Sequence, residues 1–183
     1  MRLITTLAVT ALAAAALASG AGAGQPSRFA IHDEYAFEAE DFCDVLGLTV
    51  AISGVLDITG KVMPRGEHGL DYFAQHGTQA ETLIANGTSL TSLANVNEKD
   101  LHVTDNGDGT LTVLIVATGN AVLYGPDGNA IARNPGQTRL ELVFDDNGTP
   151  DDPLDDIELS REIVKGSTGR SDDFCDAAVP ALT

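Results

Sequence analysis

The sequence contains no tryptophan, only two cysteines and few basic residues. Lys and Arg number 10 and Asp and Glu number 27, which gives a formal net charge of -17 at pH 7. Because proteins bind nucleic acids mainly by neutralising phosphates with Lys and Arg, this balance argues against a nucleic-acid partner. Without tryptophan, the chain also lacks the usual aromatic platform of a sugar-binding surface. Hydrophobic residues make up 43% and charged residues 20% of the chain, a composition that indicates a folded, acidic, globular protein.

Long apolar stretches are absent except at the start of the sequence, so no later segment is expected to span a bilayer. Arg2 precedes an uncharged apolar run, and small residues follow it up to Ala23. A positive start, an apolar middle and a small-residue end predict a secretory signal peptide, residues 1–23, with a cut after Ala18 as the alternative. We therefore expect one exported domain, residues 24–183, in a secreted, extracellular protein.

The two cysteines lie near the two ends of this domain, each within the string Asp-Phe-Cys-Asp. Flanking aspartates disfavour a thiolate, so neither cysteine has the surroundings of a nucleophile. In an oxidising compartment the pattern predicts a disulfide between Cys43 and Cys175. Such a bond brings both ends of the domain together, with Cα atoms within about 7 Å, which favours a closed or wrapped sheet.

Turn-forming residues recur along the domain, with β-branched runs between them. Asp105 to Thr110 and Gly125 to Asn129 are two turn sequences between strand patterns, and each predicts a hairpin. Thr49 to Thr59 alternates loosely, with Gly54 at a predicted bulge or bend. Ile157 to Ile163 also alternates and predicts a strand with one buried and one solvated face.

These short strands and tight turns predict an all-β fold, a single-domain antiparallel meander of roughly eight strands. Closing the meander into a lipocalin-like or allene-oxide-cyclase-like β-barrel removes its exposed edges, so a barrel is the first expectation. A β-sandwich is the alternative. The oligomeric state is left open by the sequence.

The stretch from residue 145 to residue 156 holds six aspartates in twelve residues. Carboxylate and amide oxygens are the ligands that calcium prefers, so Asp145, Asn147, Asp151 and Asp155 are candidate calcium ligands. The stretch lacks the order of ligands and the closing Glu of an EF-hand. The alternative is an exposed connection in which Asp and Asn side chains form Asx-turns. No other cofactor is expected.

Complete catalytic motifs are missing from the sequence. No Ser lies in the G-x-S-x-G pattern of a nucleophile elbow, and the four histidines lack the H-x-H or H-x-x-x-H spacing of common zinc sites. The 27 acidic residues offer many acid–base pairs, and none of them stands out. No catalytic residue is therefore predicted.

Several short motifs follow one another in a fixed order along the predicted domain. They are Phe42-Cys43, Asp105 to Thr112, Tyr124 to Gly128, Gly148 to Asp156, Lys165 to Arg170 and Cys175. This ordered series resembles a family of uncharacterised, secreted, β-rich proteins of actinobacteria. The resemblance covers most of the predicted domain, and it implies an exported bacterial protein without implying an activity.

Three functions are compatible with this reading. The first is non-catalytic binding of a small apolar ligand inside a β-barrel, in a pocket walled by Val, Ile, Leu and Phe. The second is a structural or adhesive protein of the cell envelope, suggested by the acidic surface and the lack of a chemical motif. The third is a barrel enzyme that uses carboxylates.

Overall fold

The computed structural model describes residues 26–65, 70–148 and 156–183, which form seven β-strands and a C-terminal helix. The predicted signal peptide therefore lies outside the described residues. A 3₁₀ turn at Phe42–Asp44 follows the first strand. The strands are β1 (Ser27–Ala39), β2 (Val50–Arg65), β3 (Leu70–Ala85), β4 (Thr88–Asp105), β5 (Thr110–Tyr124), β6 (Ala130–Asp145) and β7 (Ile157–Lys165), and the helix is α1 (Phe174–Leu182).

All seven strands belong to one antiparallel sheet in which each strand pairs with its neighbours in sequence. The order β1 to β7 makes a simple meander, and the predicted all-β antiparallel class is confirmed. Within the described residues β1 and β7 do not pair, so the sheet is not closed into a barrel. The part of the chain that the structure describes forms seven strands instead of roughly eight, and most of them are long: β4 alone has 18 residues.

The two faces of the sheet differ in burial, as β4 shows most clearly. Leu90 and Ser92 are buried, whereas Thr91, Leu93 and Asn95 between and after them are exposed. Successive side chains of a strand point to opposite faces, so burial alternates with the same period of two residues. We call the buried side the inner face and the exposed side the outer face. Paired residues share a face, so the strand register assigns a face to every paired position.

One end of the inner face is covered by α1. The helix packs against β4 and β6, with Ala178 and Leu182 almost fully buried. It is attached to the turn before β2 by the disulfide between Cys43 and Cys175, whose Cα atoms are 5.6 Å apart. The predicted disulfide is thus confirmed. The buried residues of this core are Leu48, Val50, Leu83, Ala85, Leu90, Leu123, Ala132, Ala178 and Leu182.

Both predicted hairpins are confirmed. The Asp105 to Thr110 sequence connects β4 to β5, and Gly125 to Asn129 connects β5 to β6. Asp side chains hold these turns: Asp105 accepts a hydrogen bond from the Gly107 amide, and Asp127 accepts one from the Asn129 amide. These backbone contacts are those of Asx-turns, which explains why the turn chemistry could be recognised locally.

Two local expectations are wrong. Gly54 is not a bulge, since β2 pairs without interruption with β1 and β3 at this position. The strand β7 does not have one buried face, since all nine of its residues are exposed. Its position at the sheet edge, together with two irregularities in its pairing with β6, removes the neighbours that would cover it.

In the described part of the chain, no helix is long and apolar enough to cross a membrane.

Candidate functional site

A group of three polar side chains occupies the inner face where β1, β2 and β3 lie side by side. The Tyr35 hydroxyl donates a hydrogen bond of 2.7 Å to Glu81 Oε1. The Gln79 side-chain amide donates to the Tyr35 hydroxyl at 2.6 Å and to Glu81 Oε1 at 3.1 Å. Because Tyr35 is 44 positions from Gln79 and 46 from Glu81 in sequence, only the strand register brings it to them.

The position of Tyr35 depends on a glycine of the neighbouring strand. Tyr35 pairs directly with Gly54 across β1 and β2. A Cβ atom at Gly54 would lie 2.8 Å from the Tyr35 ring and 2.9 Å from the Ala80 carbonyl oxygen. Any larger residue would therefore displace the ring, and this close approach explains why glycine occupies a strand interior here.

The Tyr35 phenol is held in its protonated form. Burial, together with the nearby Glu81 carboxylate, raises the pKa of Tyr35 to about 12 against the opposing effect of the Gln79 hydrogen bond. Tyr35 therefore remains a donor to Glu81 at physiological pH and an acceptor from Gln79. This arrangement fixes the orientation of the Gln79 amide.

The carbonyl oxygen of that amide is left without a partner in the described residues. Gln79 Oε1 is buried and accepts no hydrogen bond there. A buried acceptor without a donor costs roughly 1–3 kcal/mol, so such an atom calls for a physical explanation. A donor on a bound ligand would satisfy it.

An aromatic surface adjoins this polar group. The rings of Tyr35 and Phe37 are stacked with centroids 6.2 Å apart and an interplanar angle of 27°. Phe37 belongs to the inner face of the edge strand β1, and 54% of it is exposed. The site thus combines an unpaired acceptor with an accessible apolar surface.

A second polar group lies further along the inner face. Gln75 donates to Glu98 at 2.7 Å, and Arg161 on β7 makes two hydrogen bonds to Glu158, at 2.7 and 3.0 Å. The hydrogen bond to Glu158 raises the pKa of Arg161, and the charges of Glu158 and Glu98 raise it further. Carboxylates of both β7 and β4 on the inner face therefore act on the Arg161 charge.

The aspartate-rich stretch is described only in part. Asp145 Oδ1 accepts the Asn147 amide at 2.9 Å, and Asp146 accepts the Gly148 amide at the same distance. These are the Asx-turn contacts of the alternative interpretation. Asp151 and Asp155 lie outside the described residues, so the calcium prediction stays a prediction. Among the residues that are described, no three His, Cys, Asp or Glu side chains form a metal-binding group.

The best-formed hollows of the described surface are shallow and lie mainly on the outer face. Their volumes are about 320 and 540 Å³, and both lie over β1, β2 and β3. They exist because the outer face is lined there by small side chains. These residues include Ala36, Ala51, Ser53, Ala80 and Thr82.

Comparisons of the chain with protein families, with curated proteins and with solved structures found no match. The resemblance to secreted actinobacterial proteins therefore stays an expectation, and any function must be argued from the site itself. Sequence reasoning missed Tyr35, Gln79 and Glu81. The sequence signal for Gln79 and Glu81 is their spacing of two along β3, which is ambiguous until the neighbouring strands are known, and Tyr35 on β1 carries no such signal.

Proposed function

We propose that this protein is a secreted, non-catalytic binding protein for a small, mainly apolar ligand that carries one hydrogen-bond donor. The ligand is held against the inner face, within an incompletely closed β-barrel. The unpaired, buried Gln79 Oε1 beside the Tyr35–Phe37 aromatic surface is the observation that carries this proposal. The confirmed disulfide is compatible with export, because disulfides persist mainly in oxidising compartments.

The incomplete barrel is supported by burial and by charge. From Leu90 to Asp100 of β4, the inner-face residues are buried or half-buried, whereas the outer-face residues are exposed. The charge of Glu98 on β4 also contributes to the raised pKa of Arg161 on β7, which supports a curved sheet in which these two strands face one another. Between β1 and β7 the described sheet is open, and this opening would admit the ligand beside Phe37.

Three of the inner-face carboxylates are already engaged within the protein, which favours binding over catalysis. Glu81, Glu98 and Asp100 each accept a hydrogen bond from the chain, from Tyr35, Gln75 and the Phe73 amide respectively. A catalytic acid–base pair needs carboxylates that can reach a substrate. These three are already occupied in positioning the side chains and backbone around them.

The test uses N-phenyl-1-naphthylamine, a neutral apolar fluorophore with a single N–H donor. We expect its fluorescence to rise on binding to the purified protein, and we expect Gln79→Leu to weaken binding about tenfold, since it removes the acceptor but keeps the apolar bulk. The matched control is Ser53→Leu, which fills the outer-face hollow and should leave binding unchanged. The inner-face site would be refuted if the wild-type protein did not bind the fluorophore. It would also be refuted if Ser53→Leu lost binding while Gln79→Leu bound as tightly as the wild type.

A structural or adhesive function in the cell envelope is the second candidate, and β7 favours it. Ile157, Leu159, Ile163 and Val164 are 43–55% exposed on this edge strand. Exposed apolar edge strands tend to pair with other chains. Cosedimentation with purified envelope fragments, reduced by Leu159→Lys, would support this candidate; equal recovery of both proteins in the supernatant would count against it.

A further inference from the structure

The strand β1 forms a free edge of the sheet on its side away from β2. All thirteen residues of β1 pair with β2, and no described strand pairs with its other side. The outward-pointing N–H and C=O groups of this edge are therefore available to another strand. Natural proteins seldom leave so long an edge open without a protective feature, because it is a template for strand addition.

The side chains of β1 are self-complementary about Asp33. When a second copy pairs antiparallel with Asp33 opposite Asp33, each residue before Asp33 faces the residue equally far after it. Members of each pair lie on the same face of the sheet, as antiparallel pairing requires. The resulting pairs are Phe29 with Phe37 and Ile31 with Tyr35 on the inner face, and Arg28 with Glu38, Ala30 with Ala36 and His32 with Glu34 on the outer face.

From this edge and this pattern we propose that β1 is a homodimerisation strand, which pairs with β1 of a second copy to form one continuous sheet of fourteen strands. Each favourable pair occurs twice about the two-fold axis. Apolar and opposite-charge pairs directly across antiparallel strands stabilise a sheet. Asp33 opposite itself is the single like-charge contact, at the centre of the interface.

Other registers of β1 lose this match. Moving the two-fold axis to His32 places His32 opposite itself and Arg28 opposite Ala36. Moving it to Glu34 places Glu34 opposite itself and leaves Arg28 beyond the end of the partner strand. The Asp33-centred register is therefore favoured by the charges of β1 itself.

The other free edge, β7, does not share this property. Pairing of two β7 strands centred on Arg161 or Glu162 places that charge opposite itself and, unlike β1, forms no opposite-charge pair, and pairing centred on Ser160 places Glu158 opposite Glu162. Like charges directly opposite destabilise a sheet. The irregularities in β7 also disturb the regular backbone spacing that pairing with a second β7 would need.

A charge exchange within one chain tests the proposal. Arg28→Glu and Glu38→Arg should each weaken dimerisation about tenfold in sedimentation equilibrium, because each places like charges opposite one another twice. The double variant restores opposite charges and should return to within about threefold of the wild type. The control is Lys99→Glu, an equal change of charge on the exposed outer face of β4, which should leave dimerisation unchanged.

Cross-linking locates the interface independently. Asp33→Cys places two cysteines opposite one another, at a cross-strand Cα distance of about 4.5–5.5 Å, within the range of a disulfide. We expect a covalent dimer on mild oxidation, and none from Ser160→Cys at the centre of β7. Circular dichroism of every variant checks that it is folded. A wild-type protein that stays monomeric at all concentrations, a double variant that fails to dimerise, or cross-linking through Ser160→Cys alone would overturn the proposal.

Discussion

Asp100 shows how a single residue completes the sheet where regular pairing stops. The ladder between β3 and β4 ends at Ala74 and Lys99. Beyond it, Asp100 Oδ2 accepts the Phe73 amide at 2.7 Å in place of a backbone carbonyl. Asp100 is only 8% exposed, and its burial raises its pKa to about 6 against the lowering effect of the Phe73 hydrogen bond.

This shift makes stability depend on pH. Between the ordinary value of 3.8 and about 6, the folded protein holds a proton on Asp100 that the unfolded chain has lost. The unfolded state thus binds fewer protons, and the free energy of unfolding falls as pH rises through this window, by about 3 kcal/mol at most. Below the window the penalty is absent, and above it the penalty is complete.

We predict that Asp100→Asn removes this penalty. The amide oxygen can still accept the Phe73 amide, so the variant should be more stable than the wild type by about 1–3 kcal/mol at pH 7 and nearly equal to it at pH 4. Urea denaturation at the two pH values measures the difference. Glu162→Gln, on the exposed strand β7, controls for the loss of one negative charge; the same gain in both variants would contradict the explanation.

At the scale of elements, the short helix α1 has hydrogen-bond partners for backbone groups at both of its ends. Asp173 accepts the amides of Cys175 and Asp176 at 2.8 and 3.0 Å, as an N-cap does. At the other end, the Asn86 side chain donates to the Leu182 carbonyl at 2.9 Å. Asn86 can do so because it begins the β3–β4 turn with a φ of 50°, a left-handed conformation that asparagine tolerates.

The helix contributes to stability mainly through its buried face. Leu182 is 1% exposed within the core beneath α1. We predict that Leu182→Ala lowers the free energy of unfolding by about 2–4 kcal/mol, through lost burial and the cavity that remains. Leu46→Ala is the matched control, because Leu46 is 90% exposed and its truncation should change stability by less than about 0.5 kcal/mol. Equal losses from the two truncations, measured by urea denaturation, would argue against helix packing as the cause.

At the scale of the whole molecule, the disulfide links the first turn after β1 to the last helix. The closed loop spans 132 residues, so it restricts the unfolded chain strongly. The aromatic rings of Phe42 and Phe174, each next to a cysteine, meet edge to face at 6.2 Å. The bond and this contact together fix α1 against the inner face.

We predict that the double variant Cys43→Ser, Cys175→Ser remains all-β but unfolds more easily, by about 3–5 kcal/mol. Its melting temperature should fall by roughly 10 °C, given about 2–4 °C per kcal/mol for a chain of this size. A reducing agent should reproduce the loss in the wild type and leave the double variant unchanged. A melting temperature insensitive to reduction would show that the bond does not stabilise the fold.

Which features of the structure could be predicted from the sequence depends on the sequence range of the interactions that form them. Turn residues such as Asp105 to Thr110 act over a few positions, and side-chain alternation has a period of two, so the all-β class and both hairpins could be predicted locally. The Cys43–Cys175 pairing followed from having only two cysteines. The helix α1 was not predicted, because its nine residues, which include Pro180, form too short an apolar pattern to indicate a helix.

The sequence by itself therefore determined the class of fold, its turns and its covalent link. Only the tertiary structure decided that β1 and β7 are edges, that Gly54 lies beneath Tyr35, and that Tyr35, Gln79 and Glu81 meet. These features depend on strand register and on the curvature of the sheet. Both arise from the packing of the whole inner face, and no local run of residues encodes them.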